Sequence, residues 1–158
     1  RRMKLSVLAV GHRQPEWVSA GCAEYLKRMP RELPASVTEI KPEARGSKTR
    51  EQLLAAEKGR IRDALPSASR IVVLDEKGDD LTTLKLARRL EAWMQDGRDV
   101  ALLIGGADGL DEEFKRQADD RVRLSSLTLP HGLARVVLCE QLYRAVSVLR
   151  NHPYHREG

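Results

Sequence analysis

Aromatic residues are scarce in this chain: one Phe, two Trp and three Tyr among 158 positions. An aromatic side chain outside an obvious core stripe is therefore informative. Cysteine is as rare. Cys22 and Cys139 lie far apart in helix-like stretches, without the paired spacing of a zinc or redox motif, and read as buried thiols of a reducing compartment. Long apolar runs are missing too. No window approaches the roughly 18 to 20 apolar residues that cross a bilayer, and the short run after Lys4 alternates like a strand. These absences argue against a disulfide scaffold and a membrane-spanning helix, and make the cytoplasm the expected location. Arg1 and Arg2 precede Met3, which reads as the natural start.

What is present describes an ordinary globular chain. Hydrophobic residues make up 41% and charged residues 32%, too apolar for disorder. The length suits one domain over residues 1–158, able to bury roughly two-thirds of its unfolded surface. A formal charge of +5 favours a polyanionic partner.

The apolar pattern alternates between strand and helix signals. Leu5 to Val10 reads as a strand ended by Gly11. Pro15 opens a helix carrying Val18, Cys22, Tyr25 and Met29 on one face. Ser36 to Ile40 reads as a strand, and Leu54, Ile61 and Leu65 mark a helix closed by Pro66. Ile71 to Leu74 is a continuous apolar run, as expected of a strand covered on both faces. Asp75 to Asp80 reads as a polar turn, Thr82 as the cap of a helix through Leu86, Leu90 and Trp93, and Gly97 as its end. Val100 to Ile104 is the most strand-like run. A short helix from Asp111, a strand near Val122 to Leu124, and a helix from Leu133 to Leu149 follow. The expectation is an α/β domain, a mainly parallel sheet with helices on both faces. Ligands of such sheets bind beyond the carboxyl ends of the strands, which points to the loops after Leu74, Ile104 and Leu124.

Three segments carry candidate chemistry. Gly105-Gly106-Ala107-Asp108-Gly109 follows a buried strand and lets the backbone approach a ligand. It lacks the Gly-Lys-Ser/Thr of a P-loop and the glycine spacing of a dinucleotide site, so by itself it is equally an ordinary turn. Leu124-Ser125-Ser126-Leu127-Thr128-Leu129-Pro130-His131 places hydroxyls among leucines, which suits a pocket wall apolar toward a ring and polar toward a ribose; a plain strand-to-helix loop capped by Thr128 explains it as well. The last residues, Asn151-His152-Pro153-Tyr154-His155-Arg156-Glu157-Gly158, hold two imidazoles, a phenol and a guanidinium where an idle terminus would hold small polar residues. Such a tail can stack on a base and grip a phosphate. His152 and His155 have no further ligand at a supporting spacing, so no metal is expected. The helix after His131 has an apolar surface wider than one stripe, as in a deep core or a subunit interface.

These segments, with Glu140-Gln141-Leu142-Tyr143-Arg144-Ala145 between the last two, stand in the order and spacing of one family. The chain resembles the bacterial ribosomal large-subunit pseudouridine N3-methyltransferases, small SPOUT-class enzymes, from Met3 to its end. The tail and the Leu-Thr-Leu-Pro-His run are the specific part of the likeness. It implies a C-terminal trefoil knot holding S-adenosylmethionine, a homodimer with an active site shared between protomers, and large-subunit ribosomal RNA in assembled ribosomes as substrate. Carried over by motif, the cofactor residues are Leu74, Gly105, Gly106 and the run Leu124, Ser125, Ser126, Leu127, Thr128 and Leu129. Asp108 stands where the family is expected to carry a glutamate or an aromatic, and Gly132 is smaller than expected.

Methyl transfer from a sulfonium is an in-line displacement that needs positioning and exclusion of water. An imide N3–H must also lose its proton, which assigns Tyr154 and His155 to base positioning or proton removal and Arg156 to electrostatic support. Lys4, Arg13, Lys41, Arg45 and Lys48 are candidate RNA-backbone contacts. Two other readings stay open. A non-catalytic basic ribosome-binding factor explains the charge and the tail but not the glycine loop. A small-molecule hydrolase would want a Gly-x-Ser-x-Gly elbow, and none is present.

Overall fold

A computed structural model describes residues 2–156; Arg1 and the tail's last two positions, Glu157 and Gly158, lie outside the described residues. Five strands, β1 (Leu5–Val10), β2 (Ala35–Ile40), β3 (Arg70–Asp80), β4 (Val100–Ile104) and β5 (Asp120–Arg123), form one sheet. Their order is β2-β1-β4-β3-β5 and every pairing is parallel. The helices are α1 (Glu16–Leu26), α2 (Arg50–Ala64), α3 (Thr83–Asp96), α4 (Glu112–Gln117) and α5 (His131–Leu149), and a 3-10 turn spans Pro153–Arg156.

Period-two alternation divides the central strand between two cores. Val100, Leu102 and Ile104 of β4 face a cluster with Leu86, Leu90 and Trp93 of α3 and Leu138 and Leu142 of α5. Ala101 and Leu103 face the opposite cluster, with Ile61 of α2 and Phe114 of α4. Helices thus cover both faces of the sheet, as the unbroken apolar run predicts. Val18 and Cys22 of α1 and Cys139 of α5 form a third small cluster, and both thiols are buried and free.

Local chemistry accounts for most of the boundaries. Thr82 caps α3 by accepting from the Lys85 N–H at 3.2 Å, and Gly97 ends that helix in a left-handed conformation, φ 84°. Asp111 caps α4 by accepting from the Phe114 N–H.

Some boundaries differ from the expectation. The segment Asp75 to Asp80 is the second half of β3 and not a turn. Leu74 and Asp79 both partner Val122, so a bulge takes up the residues between them, and β3 then continues along β5 to Asp80. Ion pairs replace apolar patterning there: Arg121 reaches Asp75 at 2.5 Å and Arg123 grips Asp80 through two nitrogens. Burial alone would raise the Asp75 carboxyl, but Arg121 and Lys115 hold it below its ordinary range. The last helix begins at His131, two residues before the expected start, and Pro130 precedes it. Thr128 makes no cap for that helix. Gly132 is buried because a Cβ there would lie 2.8 Å from Gln14 Oε1 and 2.9 Å from Val18 Cγ2, so the starts of α1 and α5 touch.

Candidate functional site

The carboxyl ends of β1, β3, β4 and β5 converge on one side of the sheet, since every strand runs the same way. Of the three expected loops, the one after β5 lines a cleft there, while β3 runs on past Leu74 as strand. An open cleft of about 420 Å³ lies between the strand-to-helix loop after β5 and the start of α3. Its walls include Leu124, Ser125 and Leu129 from the loop, Thr82 and Thr83 from α3, and Gln141 from α5. That volume lies within the range of small-molecule and cofactor sites, and the mix of leucine walls, hydroxyls and one amide suits a ligand with a flat ring and a polar ribose or amino acid end.

Not every expected cofactor residue lines the cleft. Leu74 packs against the core at the end of the first half of β3. Ser126, Leu127 and Thr128 are exposed, Leu127 at 74%. The Leu127 N–H donates to Ser125 Oγ at 2.9 Å, which sets the shape of the loop. Gly105 and Gly106 form a tight turn in which the Gly109 N–H donates to the Gly106 carbonyl at 3.0 Å.

Glycine is required at 105 by close approach. A Cβ there would lie 2.6 Å from the Gly109 carbonyl carbon and 2.7 Å from its oxygen. Gly105→Ala should lower the unfolding midpoint by roughly 2 to 12 °C, the cost of forcing one methyl into packed backbone in a domain of this size. Thermal melts check this; an unchanged midpoint would show that the turn yields freely. The same turn is tied to the basic segment before α2. Arg45 pairs with the Asp108 carboxylate at 2.7 Å, and Arg50 donates to the Asp108 carbonyl at 2.7 Å. The aspartate side chain at 108 thus has a cationic partner in Arg45, while Arg50 holds the backbone of the same residue.

A polar cluster built on one buried cation braces the glycine turn from below. Arg135 of α5, 3% exposed, donates from Nε to His131 Nε2 at 2.9 Å and from Nη1 to Glu39 of β2 at 2.8 Å. His131 Nε2 is therefore an acceptor, and the ring also bonds the Gly105 backbone. Burial, then the neighbouring Arg135 cation, pushes the His131 imidazole below its ordinary value of 6.5. A depressed histidine pKa means that the unfolded chain binds the proton more readily. Stability from this site is complete above about pH 6.5 and is lost as pH falls toward the lower folded value. His131→Gln should flatten that part of the stability curve between pH 6.5 and 5, measured as unfolding midpoint against pH beside the wild type. Parallel curves would exclude the role.

The tail folds back on the second half of α5. Tyr154 donates its hydroxyl to Glu140 Oε2 at 2.7 Å, packs edge-on against Tyr143 at 4.8 Å, and lies under the Arg144 guanidinium at 4.7 Å. Arg144 Nε also donates to Glu140 Oε2 at 2.8 Å. Burial, then the bond to Glu140, pushes the Tyr154 phenol well above its ordinary value, so it keeps its proton at neutral pH. His155 Nδ1 lies 2.5 Å from the His152 carbonyl oxygen, and Arg156, exposed, donates to Asn151 Oδ1 at 3.1 Å. Among the described residues no group of three or more His, Cys, Asp or Glu is placed to hold a metal ion.

The basic candidates separate by position. Arg13, Lys41, Arg45 and Lys48 are exposed on loops that leave the carboxyl ends of β1 and β2. Lys4 precedes β1 at the opposite end of the sheet, about 20 Å away at 3.3 Å per residue, where its N–H donates to Asp99. Sequence reasoning placed Glu140 and Gln141 in a motif without a role and missed Thr83, Glu39 and Arg135 as parts of the site. A cation inside the apolar surface of α5, one turn after His131, was the signal for the Arg135 cluster.

Comparison with known proteins places the chain in a family. The model of a family described as predicted SPOUT methyltransferase matches residues 3–155. A ribosomal RNA large subunit methyltransferase H from Dechloromonas aromatica is 88% identical over 99% of this chain and 100% of its own length. One of the same name from Burkholderia ambifaria is 59% identical over 98% of this chain and 99% of its own. Among solved structures, a probable methylase family protein from Haemophilus influenzae has a TM-score of 0.55 at 13% identity, covering 96% of this chain and 69% of that one; this likeness bears on the fold. No helix among the described residues is long and apolar enough to cross a membrane.

Proposed function

This chain belongs to the SPOUT methyltransferase family, and from that premise we propose that it moves a methyl group from S-adenosylmethionine to N3 of a pseudouridine in large-subunit ribosomal RNA. One observation carries the site assignment. The cleft beyond β5 and the anchored tail lie on neighbouring residues of one helix, with Gln141 lining the first and Glu140 holding the second. A basic RNA-binding factor without catalysis gives no reason for that juxtaposition.

The cofactor supplies an electrophilic methyl on a sulfonium. The chain's own residues do the rest. Leu124, Leu129 and Leu86 give the cleft its apolar wall and keep water from the ring, while Thr82, Thr83 and Ser125 offer hydroxyls to a ribose or amino acid end. Gly105 and Gly106 present backbone groups on a turn braced by His131, and the trefoil knot of the family is part of this reading. Leu74 and the exposed run Ser126, Leu127 and Thr128, which do not line the cleft, belong to the cofactor set only as the family resemblance implies it.

In the tail, Tyr154 is a positioning donor, since its proton is held toward Glu140. His155 is the group that receives or orients the imide proton, and Arg156 supports the charge left on the base. Both protomers of a homodimer contribute. Trp17, 58% exposed at the start of α1, and Leu133, 37% exposed at the start of α5, are large apolar side chains left open to solvent, as a partner-facing surface requires. Arg13, Lys41, Arg45 and Lys48 contact the RNA backbone of an assembled ribosome in the cytoplasm.

Incubation with methyl-labelled S-adenosylmethionine tests this, with assembled ribosomes lacking the modification and free ribosomal RNA in parallel. Label should enter large-subunit RNA and do so better on ribosomes. Cofactor binding with no label in either RNA would overturn the substrate; neither binding nor label would overturn the enzyme.

A further inference from the structure

The hydrogen bonds around Glu140 do not stop at the tail. Thr83 Oγ1 donates to Gln141 Oε1 at 2.7 Å, and Gln141 Nε2 donates to Glu140 Oε1 at 2.8 Å. The second carboxylate oxygen of Glu140 accepts from Tyr154 and Arg144. An unbroken path of three hydrogen bonds therefore runs from the rim of the cleft to the tail, and two of its members, Thr83 and Gln141, line the cleft themselves. We propose that Gln141 and Glu140 are positioning residues that couple occupancy of the cleft to docking of the tail. The inference rests on the reading of the cleft as the S-adenosylmethionine site.

The physical argument is one of ordering. Thr83, Gln141 and Glu140 are none of them fully buried, so each side chain has rotamers to lose when it commits to this arrangement. A ligand in the cleft that fixes Thr83 and Gln141 removes that cost for the next member. Glu140 is then held with both oxygens aimed, one at Gln141 and one at Tyr154. Docking of the tail onto a carboxylate already in place costs less, which is positive coupling without any large movement. Bonds in such a chain also polarise one another, in the same direction. Coupling is reciprocal, so a tail that docks well must tighten the cofactor by the same factor. The carboxylate is the hinge of the device. It bonds both the cleft rim and the phenol.

This arrangement serves the proposed reaction by matching the two halves of the site. A tail that reaches its working position chiefly when the methyl donor is loaded keeps RNA from engaging an empty enzyme. Because the tail anchor and the cleft sit on the same α5, the linkage operates within one protomer, whichever protomer's methyl donor that tail then serves.

A double-mutant cycle on S-adenosylmethionine affinity tests it, by calorimetry on the full chain. Tyr154→Phe removes the tail's bond to Glu140 and touches nothing in the cleft. It should weaken the cofactor roughly fivefold, the lower edge of ordinary coupling. In a Gln141→Leu background the same Tyr154→Phe change should have no effect. Thr83→Val breaks the path from the other side and should behave like Gln141→Leu, while Thr83→Ser keeps the hydroxyl and should restore the wild-type response. Melting curves confirm that each variant is folded, and the two independent breaks guard against one that is not. An equal effect of Tyr154→Phe in every background, or none in the wild type, would overturn the coupling and leave the methyltransferase reading standing. Failure of the wild type to bind S-adenosylmethionine would overturn both.

Discussion

Arg156→Ala and His155→Ala are expected to lower methyl transfer about a hundredfold or more while leaving S-adenosylmethionine affinity at the wild-type value. The magnitude is that of a positioned proton-transfer or charge-stabilising group. The selectivity follows from geometry. Among the described residues, Arg156 bonds Asn151 and His155 lies on the His152 carbonyl, both within the tail, and neither bond is a step of the path through Glu140 to the cleft. An uncatalysed imide N3–H stays protonated at neutral pH, so removal of the group that takes or orients that proton falls on turnover and not on cofactor binding. The two variants need not be equal. If His155 handles the proton, His155→Ala should change the dependence of turnover on pH, and Arg156→Ala should lower it at every pH. Single-turnover rates with saturating cofactor, at several pH values, separate the two. Full activity in both variants would remove the tail from the chemistry.

Glu140→Ala should be the most damaging change outside the tail itself. One carboxylate accepts from Gln141, Tyr154 and Arg144, and its side chain is only 17% exposed. Hydrogen bonds to a charged group contribute about 1.5 to 3 kcal/mol each, so loss of the bond that docks Tyr154 alone predicts a fall of roughly 10- to 150-fold in transfer. The damage should exceed that of Tyr154→Phe, which leaves Arg144 and Gln141 paired. It should also come with a modest drop in thermal stability, because the charge-assisted bonds from Arg144 to the Glu140 carboxylate are lost with it. Parallel assays of both variants check the order. A Glu140→Ala enzyme as active as Tyr154→Phe would show that the phenol alone anchors the tail.

The fold was legible wherever a strand is covered on both faces or a helix carries its own punctuation. Val100–Ile104 is β4 residue for residue, because an apolar run bounded by Asp99 and Gly105 has no other place than the middle of the sheet. Thr82 and Gly97 marked the ends of α3 for the same kind of reason, a capping hydroxyl and a left-handed glycine. The second half of β3 was hidden because its ladder is held by Arg121 with Asp75 and by Arg123 with Asp80, and charged residues in a row read as a turn. The capping box of Thr49 and Gln52 was in plain view and simply unused.

The site was half legible. The loop from Leu124 to Leu129 and the tail announced themselves by composition, but Thr83, which faces Gln141 across 58 positions of sequence, carries no local sign of its role. Nor does the sequence reveal that Tyr154 bonds Glu140, since a phenol in a tail has many partners within reach. His131 was marked by its motif but not as the partner of Glu39 and Arg135, which escaped for a related reason. Each is ordinary in its own segment, and the cluster exists only once β2 and α5 meet beneath the glycine turn.

The proposed product carries a methyl group on N3 of one pseudouridine, so the position of that methyl is the quantity to measure. Ribosomes lacking the modification would be treated with enzyme and S-adenosylmethionine, and their large-subunit RNA digested to nucleosides for mass spectrometry against a synthetic N3-methylpseudouridine standard. One new nucleoside that matches the standard is expected, formed by the wild type and nearly absent with Arg156→Ala. A methyl on a ribose oxygen or on another base, or equal product from the tail variant, would contradict the proposed reaction.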